Sequence, residues 1–373
     1  MKIFTPYRVC PLGAHVDHQL GVVTGFAIDK GVTLDFEITE DCVIDVVSKN
    51  FPGKTYFHIE DLPERDMTWG DFIKGAIVSL QRKYTVTKGI RGIVEGTLPI
   101  GGLSSSAAVI ITYLNALCKA NNILITPREL ISLAIWEERN YIGVNVGKLD
   151  QSCEVYCRAN SLLVLDTQDD STEIIPIPQN MPEFEIMIIF SGLERKLAGS
   201  AYNTRVDECK SAAYSLLAFS DTEYGKYADT YLRNVPYGIY AEHKDKLPMK
   251  WEKRAHHYYD EQKRVRDGVK AWRKGDLVKF GQTIFASGRS SIELYETGSK
   301  ELAALQDIME NVDGIYGGRF SGAGFNGCSM AIIDPSKKDE IAKQVEEEYL
   351  KKFPELKGKF SIHFCKTADG VEL

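Results

Sequence analysis

The stretch LPIGGLSSSAA, residues 98–108, places two glycines and three serines ahead of an apolar run. The glycines let backbone N–H groups approach a ligand closely, and the serines add hydroxyl groups. The apolar run from Ala107 predicts a helix, whose N-terminus would favour negative charge. No lysine follows the glycines as in a Walker A loop, so a phosphate would be bound by backbone groups, hydroxyls and the helix dipole. Taken alone, the stretch also fits a glycine turn before a serine-capped helix.

Strand and helix patterns alternate around this stretch. Residues 22–39 alternate β-branched and aromatic residues, which is typical of strands. Residues 69–80 carry apolar side chains close to i, i+3, i+4 spacing, which predicts an amphipathic helix. Another helix should begin at Thr126 as N-cap, with Pro127 in its first position. The polar, proline-containing segment 169–183 indicates a domain seam.

The length of the chain supports that division. A single core stops growing at roughly 250 to 300 residues, and this chain has 373. We therefore expect a mixed α and β protein in two domains, residues 1–182 and 183–373. Beyond the seam, the sequence predicts a helix-rich region and then strands around a second glycine loop.

Composition excludes several function classes. A net charge of −7 argues against a nucleic-acid or anionic-membrane surface, because such surfaces rest on clustered Lys and Arg. No apolar run has the length of a membrane span, and the first residues lack a signal-peptide pattern, so we expect a cytoplasmic protein. The eight cysteines form no Cys-x-x-Cys pair and are expected to be reduced, mostly buried thiols.

Two further motifs carry chemistry. RVCPLGAHVDHQ, residues 8–19, gathers an arginine, two histidines and an aspartate near the start of the chain. SGAGFNGC, residues 321–328, is a second glycine cluster ahead of a strand-like run. A lone Gly-x-Gly is more often a tight turn than a site, but three such motifs in one chain are less easily explained separately.

In order and distance, these three motifs resemble those of the GHMP kinases, the family of galactokinase, homoserine kinase and mevalonate kinase. WGDFIKGA, VGKLDQ and SAYNTRVDEC resemble the galactokinase branch, and several stretches are most similar to the galacturonokinases, which phosphorylate galacturonic acid at its anomeric hydroxyl. The resemblance covers nearly the whole chain. It implies an α+β GHMP kinase fold, with a mixed α/β N-terminal domain that carries the phosphate loop and a ferredoxin-like C-terminal domain.

The resemblance also implies the catalytic pair and the metal site. Asp150 matches the catalytic aspartate near the anomeric hydroxyl, and Arg8 matches the arginine that pairs with it. Phosphoryl transfer needs positioning and positive charge more than a strong base, so such a pair suits the reaction. Glu138 and Ser106 match the residues that hold Mg²⁺. The alternative interpretations are a structural ion pair for Arg8 and Asp150, and a surface glutamate for Glu138.

For ATP and the sugar, the resemblance implies two more sets of residues. Trp69 and Phe72 match aromatic positions beside the adenine, although aromatics at helical spacing are often core. The rest of the ATP set is Gly101, Gly102, Leu103, Ser104, Ser105, Ser106, Gly322 and Gly324. The implied sugar set is His15, Asp17 and Tyr202, which would hydrogen-bond ring hydroxyls, Gly147 through its backbone, and Ala14 and His18.

The departures from the family pattern concern substrate choice. Galactokinases normally have Glu at the position of Ala14, where it accepts a hydrogen bond from the sugar 6-hydroxyl, and Tyr at that of His18. A glutamate about 4 Å from a C6 carboxylate would cost roughly 4 kcal/mol at an effective dielectric of 20, or about a thousandfold in affinity. Ala14 therefore favours a sugar acid, whose carboxylate a protonated His18 or a backbone N–H near Ala14 could receive. A small residue packed beneath a strand is the alternative for Ala14.

A second departure shortens the phosphate loop by one residue, since only Ile100 and Gly101 separate Pro99 from Gly102. The sequence thus predicts an ATP- and Mg²⁺-dependent sugar 1-kinase with galacturonate preferred. Galactokinase is the close alternative. A galactokinase-like sugar sensor without turnover is another, but a sensor would have lost catalytic residues, and Arg8, Asp150 and Glu138 are all present here. We expect a monomer or a weak homodimer.

Overall fold

Twelve strands and ten helices are described in a computed structural model of the chain, which covers residues 1–99, 101–193, 199–220, 225–325 and 327–373. Ile100 lies outside the described residues. The strands are β1 (Lys2–Val9), β2 (Val22–Thr39), β3 (Val43–Ser48), β4 (Lys54–His58), β5 (Gly89–Gly96), β6 (Ser161–Asp166), β7 (Ser171–Pro176), β8 (Glu185–Phe190), β9 (Ile315–Phe320), β10 (Cys328–Ile333), β11 (Ser361–Cys365) and β12 (Thr367–Ala368).

The helices follow the predicted periodicity. Thr126 caps α3 as expected, because its side chain accepts a hydrogen bond from the N–H of Glu129, and a proline occupies the first turn. The described helices are α1 (Asp71–Gln81), α2 (Ser105–Ala120), α3 (Pro127–Trp136), α4 (Leu149–Tyr156), α5 (Gly199–Phe219), α6 (Tyr237–His243), α7 (Met249–Arg273), α8 (Leu277–Glu293), α9 (Lys300–Met309) and α10 (Lys338–Lys352). Within the described ranges, no helix is long and apolar enough to span a membrane.

The strands form two sheets. The first has eight strands and is built around β2, which pairs with β1, β5, β6 and β12. The second has four antiparallel strands in the order β11-β8-β10-β9. With β8 to β11 counted as strands 1 to 4, this order is 4-1-3-2, as in a ferredoxin-like arrangement. The first crossover contains α5 to α9, and the second contains α10.

The chain passes from the first sheet to the second between Pro176 and Glu185. The last strand, β12, returns to pair with β2 at Thr367 and Ala368. The segment 183–373 therefore includes a C-terminal part that belongs to the first sheet. Backbone pairing of a two-residue strand leaves no hydropathy pattern, so the sequence did not predict that β12 joins the first sheet.

One core joins the two sheets. Trp272 of α7 is fully buried against Phe26 of β2 and Phe280 of α8, at ring-centroid distances of 5.4 and 5.2 Å. Aromatic rings bury large apolar areas, so these contacts fix helices α7 and α8 against the first sheet. The junction between the sheets is thereby packed, and the three motifs of the sequence meet beside it.

Candidate active site

One cavity gathers most of the predicted residues. It lies where β1, the loop ahead of α2, the start of α4 and the loop between β9 and β10 come together. Because these elements come from both sheets, a ligand in the cavity would contact both halves of the chain. The predicted residues that line it are Arg8, Ala14, His15, Asp17, Gly102, Ser104, Ser106, Glu138, Gly147, Asp150, Tyr202, Gly322 and Gly324.

Arg8, near the end of β1, contacts Asp150 in the first turn of α4. Arg8 Nε and Nη2 lie 2.8 and 2.7 Å from Asp150 Oδ1. Burial alone would lower the pKa of Arg8, but the adjacent Asp150 carboxylate more than offsets it, so this pKa is raised. Arg8 Nη1 also donates to the Gly102 carbonyl at 3.0 Å. The arginine therefore links the aspartate to the phosphate loop.

The two glycine loops touch backbone to backbone. Gly102 and Gly322 have φ of +88° and +74°, and a Cβ added to Gly322 would lie 2.9 Å from the Cα of Gly102. Any larger residue at 322 would push the loops apart. Ser104, with φ of +66°, precedes α2, whose first residue is Ser105. The unpaired N–H groups at the N-terminus of α2 therefore lie beside the cavity.

Two oxygen-bearing side chains meet at the same helix end. Ser106 Oγ donates to Glu138 Oε1 at 2.8 Å, and both residues line the cavity. The amide of Gln151 donates to the other carboxylate oxygen of Glu138 and so fixes its orientation. Among the described residues, no group of three or more His, Cys, Asp or Glu could hold a metal. One carboxylate and one hydroxyl still fit Mg²⁺, which usually keeps several waters and takes further oxygens from phosphates.

Asp17 and Gly147 line the same cavity and lie against each other. A Cβ added to Gly147 would lie 1.9 Å from Asp17 Oδ2, so only glycine fits beneath this carboxylate. The N–H of Leu149 approaches the same oxygen at 3.4 Å. Burial, and then the charge of Asp150, raises the pKa of Asp17. Tyr202 of α5 lines the cavity beside them, and burial raises the pKa of its hydroxyl well above 10, so it is neutral.

His15 and His18 differ from each other in environment. His15 lines the cavity with a φ of +61°, and its ring stacks on Tyr295 at 4.4 Å. Its Nε2 atom is buried without a hydrogen-bond partner. Burial, followed by the charge of Arg319, holds the pKa of His15 well below 6.5. His15 is therefore a neutral ring with one polar atom available to a ligand.

The structure corrects the role expected for His18, which does not line the cavity. Its Nε2 is 2.9 Å from the Tyr295 hydroxyl, and its Nδ1 is 3.0 Å from Gln19 Nε2. Burial lowers the pKa of His18 to about 3. Because both ring nitrogens are engaged and the ring is neutral, His18 supports the loop and cannot offer a proton to a sugar carboxylate.

Ala14 lines the cavity and is held from behind by α7. Its carbonyl accepts a hydrogen bond from His257 Nε2 at 3.1 Å, and the preceding Gly13 N–H donates to Glu261 Oε1 at 2.8 Å. The sequence patterns described above do not indicate these contacts. The one signal available was the spacing of His257, Glu261 and Arg264, which places them on one helix face.

Trp69 and Phe72 line a second, neighbouring cavity together with Ser105 and Ser106. Trp69 Nε1 donates to the Pro52 carbonyl at 3.2 Å. The shared Ser106 makes this aromatic cavity continuous with the phosphate loop. Of the other predicted residues, Gly101 and Leu103 lie in that loop, where the carbonyl of Leu103 accepts a hydrogen bond from the Arg8 N–H at 3.3 Å.

Comparison with known proteins agrees with this geometry. The family model described as GHMP kinases N terminal domain matches residues 71–158, and that of GHMP kinases C terminal matches residues 269–351. The chain is 37% identical to a galacturonokinase of Arabidopsis thaliana over 100% of this chain and 93% of that protein. It is 30% identical to a galactokinase of Thermococcus kodakarensis, over 95% of each.

Solved structures give the same result. The galactokinase of Lactococcus lactis, complexed with galactose, superposes with a TM-score of 0.90 and 28% identity over 100% of this chain and 94% of that one. A mevalonate kinase of Methanococcus jannaschii shares the fold, with a TM-score of 0.68 and 15% identity over 99% of this chain and 98% of its own.

Proposed function

The chain belongs to the GHMP kinase family, and from that premise we propose that it is an ATP-dependent sugar 1-kinase that phosphorylates galacturonate at its anomeric hydroxyl. The observation that carries the proposal is the single cavity in which the Arg8–Asp150 pair, the phosphate loop and Asp17 meet around Ala14. The match to the Arabidopsis galacturonokinase over the whole chain supports the same substrate.

The catalytic pair suits transfer to a sugar hydroxyl. A bond forms between the anomeric oxygen and the γ-phosphorus of ATP, and the bond from that phosphorus to the ADP oxygen breaks. The hydroxyl proton passes to Asp150, whose position is fixed by Arg8. The guanidinium of Arg8 also stabilises charge that develops on the transferring group. Both residues act mainly by position and charge.

Ser106 and Glu138 would hold Mg²⁺. Their oxygens lie within hydrogen-bond distance of each other at the N-terminus of α2, where phosphates would be received. When bound, the ion neutralises phosphate charge during transfer. The aromatic cavity at Trp69 and Phe72 would receive the adenine, because flat rings stack on aromatic side chains.

Asp17 and Tyr202 would recognise the sugar ring. A carboxylate can accept hydrogen bonds from two adjacent hydroxyls, and Asp17 lies directly against Gly147. Ala14 then allows a sugar acid to bind, because its side chain carries no charge to repel a carboxylate. Galactose is the second candidate, favoured by the close superposition on the Lactococcus enzyme.

Product analysis tests the proposal. The purified protein is incubated with ATP, Mg²⁺ and galacturonate, and the product is examined by phosphorus NMR and by a reducing-end assay. We expect one new phosphate resonance coupled to the anomeric proton, with loss of the reducing end in equal amount. A phosphorylated product that keeps its reducing end would show transfer to another hydroxyl and contradict the 1-kinase assignment.

A further inference from the structure

We propose that Arg319, held by hydrogen bonds with α8 behind residues 12–18, makes the Ala14 end of the cavity electropositive and so favours a sugar acid over the neutral sugar. Residues 12–18 are called the sugar loop below. This inference rests on the proposed function and deepens it, since it names the groups that favour the carboxylate.

The sugar loop is held by a pair of hydrogen bonds to α7. Glu261 accepts from the Gly13 N–H, and His257 donates to the Ala14 carbonyl. Burial lowers the pKa of His257 to about 4, so its ring is neutral. A carbonyl oxygen only accepts, so the ring hydrogen is on Nε2, and Nδ1 must accept from Ser290 Oγ, 2.8 Å away. The N–H of Gly13 and the carbonyl of Ala14 are therefore both held by α7.

Arg264 closes the network. Its Nε donates to Glu261 Oε2 at 2.6 Å, and its Nη2 donates to Ser290 Oγ at 2.8 Å. Ser287 Oγ donates to Glu261 Oε1 at 2.6 Å. These hydrogen bonds join the buried groups of α7 and α8 to one another, and hydrogen-bonded polar groups give a buried network rigidity. The sugar loop is consequently held against the second half of the chain.

Arg319 joins the network without an anionic partner. It is 1% exposed, and it donates to the hydroxyls of Ser287 and Ser291 and to the Phe320 carbonyl. Among the described residues, no carboxylate oxygen lies within 4 Å of its nitrogens. Arg254, which is also fully buried, instead lies 2.7 and 2.8 Å from two glutamates. A buried cation without a counter-ion is uncommon, and it creates a strong local field.

The other charges in this region do not cancel that of Arg319. Glu261 is ionised, because the charges of Arg264 and Arg319 and a hydrogen bond from Ser287 outweigh burial and lower its pKa to about 2. Arg264 offsets Glu261 by direct contact, and it lies 3.9 Å from the exposed carboxylate of Asp260. The field of Arg319 reaches the cavity, where it lowers the pKa of His15 and opposes the burial that raises the pKa of Cys10.

A carboxylate supplied by the substrate would provide the missing anion. Ala14 leaves space at this end of the cavity and adds no charge of its own. Among the described residues, the Ala14 N–H has no protein acceptor, and His15 Nε2 has no partner. These two groups are placed by the network to contact a ligand, whereas Arg319 acts through its field. Arg319 is thus a specificity-determining residue that does not touch the sugar.

Two substitutions with opposite expected effects test this inference. Arg319→Met removes the cation, and Glu261→Gln removes the nearby anion while keeping an oxygen to accept from the Gly13 N–H. The dissociation constants for galacturonate and for galactose are measured by calorimetry with each full-length variant. Relative to the wild type, we expect the preference for galacturonate to fall about tenfold in Arg319→Met and to rise several-fold in Glu261→Gln.

Gln262→Leu is the matched control. Gln262 lies next to Glu261 on α7 and bonds both the N–H and the carbonyl of Val22, at 2.9 and 3.0 Å. Its replacement removes a comparable contact between α7 and the first sheet without changing a charge. The ratio of the two dissociation constants should therefore stay that of the wild type, even if the melting temperature falls.

The inference would be overturned if Arg319→Met lost affinity for both sugars equally and Glu261→Gln left the ratio of the two dissociation constants unchanged. The network would then have a purely structural role. If Arg319→Met does not fold, Glu261→Gln alone decides, because damage to the fold does not raise the preference for one sugar. Failure of the proposed function is a different result, namely a wild-type protein that releases no ADP with any sugar.

Discussion

Arg8 binds only one oxygen of Asp150: its Nε and Nη2 lie 2.8 and 2.7 Å from Oδ1, and Oδ2 has no partner among the described residues. One oxygen therefore anchors the carboxylate, and the other is available to a substrate hydroxyl. The same arginine bonds the carbonyl of Gly102 at 3.0 Å. One side chain thus joins the proposed proton acceptor to the loop proposed to bind phosphate.

Replacement of Asp150 should separate turnover from nucleotide binding. Asp150→Ala removes the proposed proton acceptor, and general-base groups typically contribute roughly 10² to 10⁴ in rate, so kcat should fall by at least about a hundredfold. ATP affinity should stay within a few fold, because the phosphate loop is unchanged. Steady-state kinetics and calorimetry measure the two quantities. Full activity in this variant would remove Asp150 from the mechanism.

The metal site should respond to loss of one carboxylate charge. Glu138→Gln keeps the shape of the side chain but weakens cation binding, so the Mg²⁺ concentration for half-maximal activity should rise by about tenfold or more. Glu137→Gln is the control, because the neighbouring Glu137 is fully buried and does not line the cavity. Equal Mg²⁺ dependence in both variants would place the metal elsewhere.

Charge at position 14 should set the preference between the two sugars. Ala14→Glu should weaken galacturonate by up to about a thousandfold and improve galactose, since a carboxylate repels the sugar acid and accepts from a 6-hydroxyl. Ala14→Gln adds nearly the same volume without the charge. Ratios of kcat/KM for the two sugars measure the effect. If both variants lose both sugars alike, position 14 acts through packing alone.

Burial of neutral His18 should make stability depend on pH. Its pKa is about 3 in the folded protein and near 6.5 when unfolded, so the unfolded chain binds more protons between these values. Stability is then lost as pH falls below 6.5, by roughly 2 kcal/mol at pH 5. Denaturant unfolding at pH 7.5 and 5.0 measures it. The stability difference between wild type and His18→Gln should shrink by that amount at pH 5, and a constant difference would contradict the neutral ring.

Local sequence features predicted much of this molecule. Glycine and serine patterns predicted the turn ahead of α2, and a capping residue with a following proline predicted the start of α3, because these signals depend on a few neighbouring residues. The family pattern then pointed to residues that the structure brings into one cavity, including Asp17 and Gly147.

Contacts made at long range could not be predicted in the same way. The Ala14 carbonyl meets His257 across 243 positions, and the Gly13 N–H meets Glu261 across 248. A histidine and a glutamate on a polar helix resemble a solvated face, so only the fold reveals them as buried supports. The role expected for His18 was wrong for the same reason, since its two partners and its burial are set by tertiary packing.

Substrate choice is measured by ADP release with ATP and Mg²⁺ against galacturonate, glucuronate, galactose and no sugar, at matched concentrations. We predict that galacturonate gives the highest kcat/KM, with galactose and glucuronate well below it and no release without sugar. Preference for galactose would leave a sugar 1-kinase but contradict the role assigned to Ala14 and Arg319, and binding of galacturonate without any turnover would contradict the kinase itself.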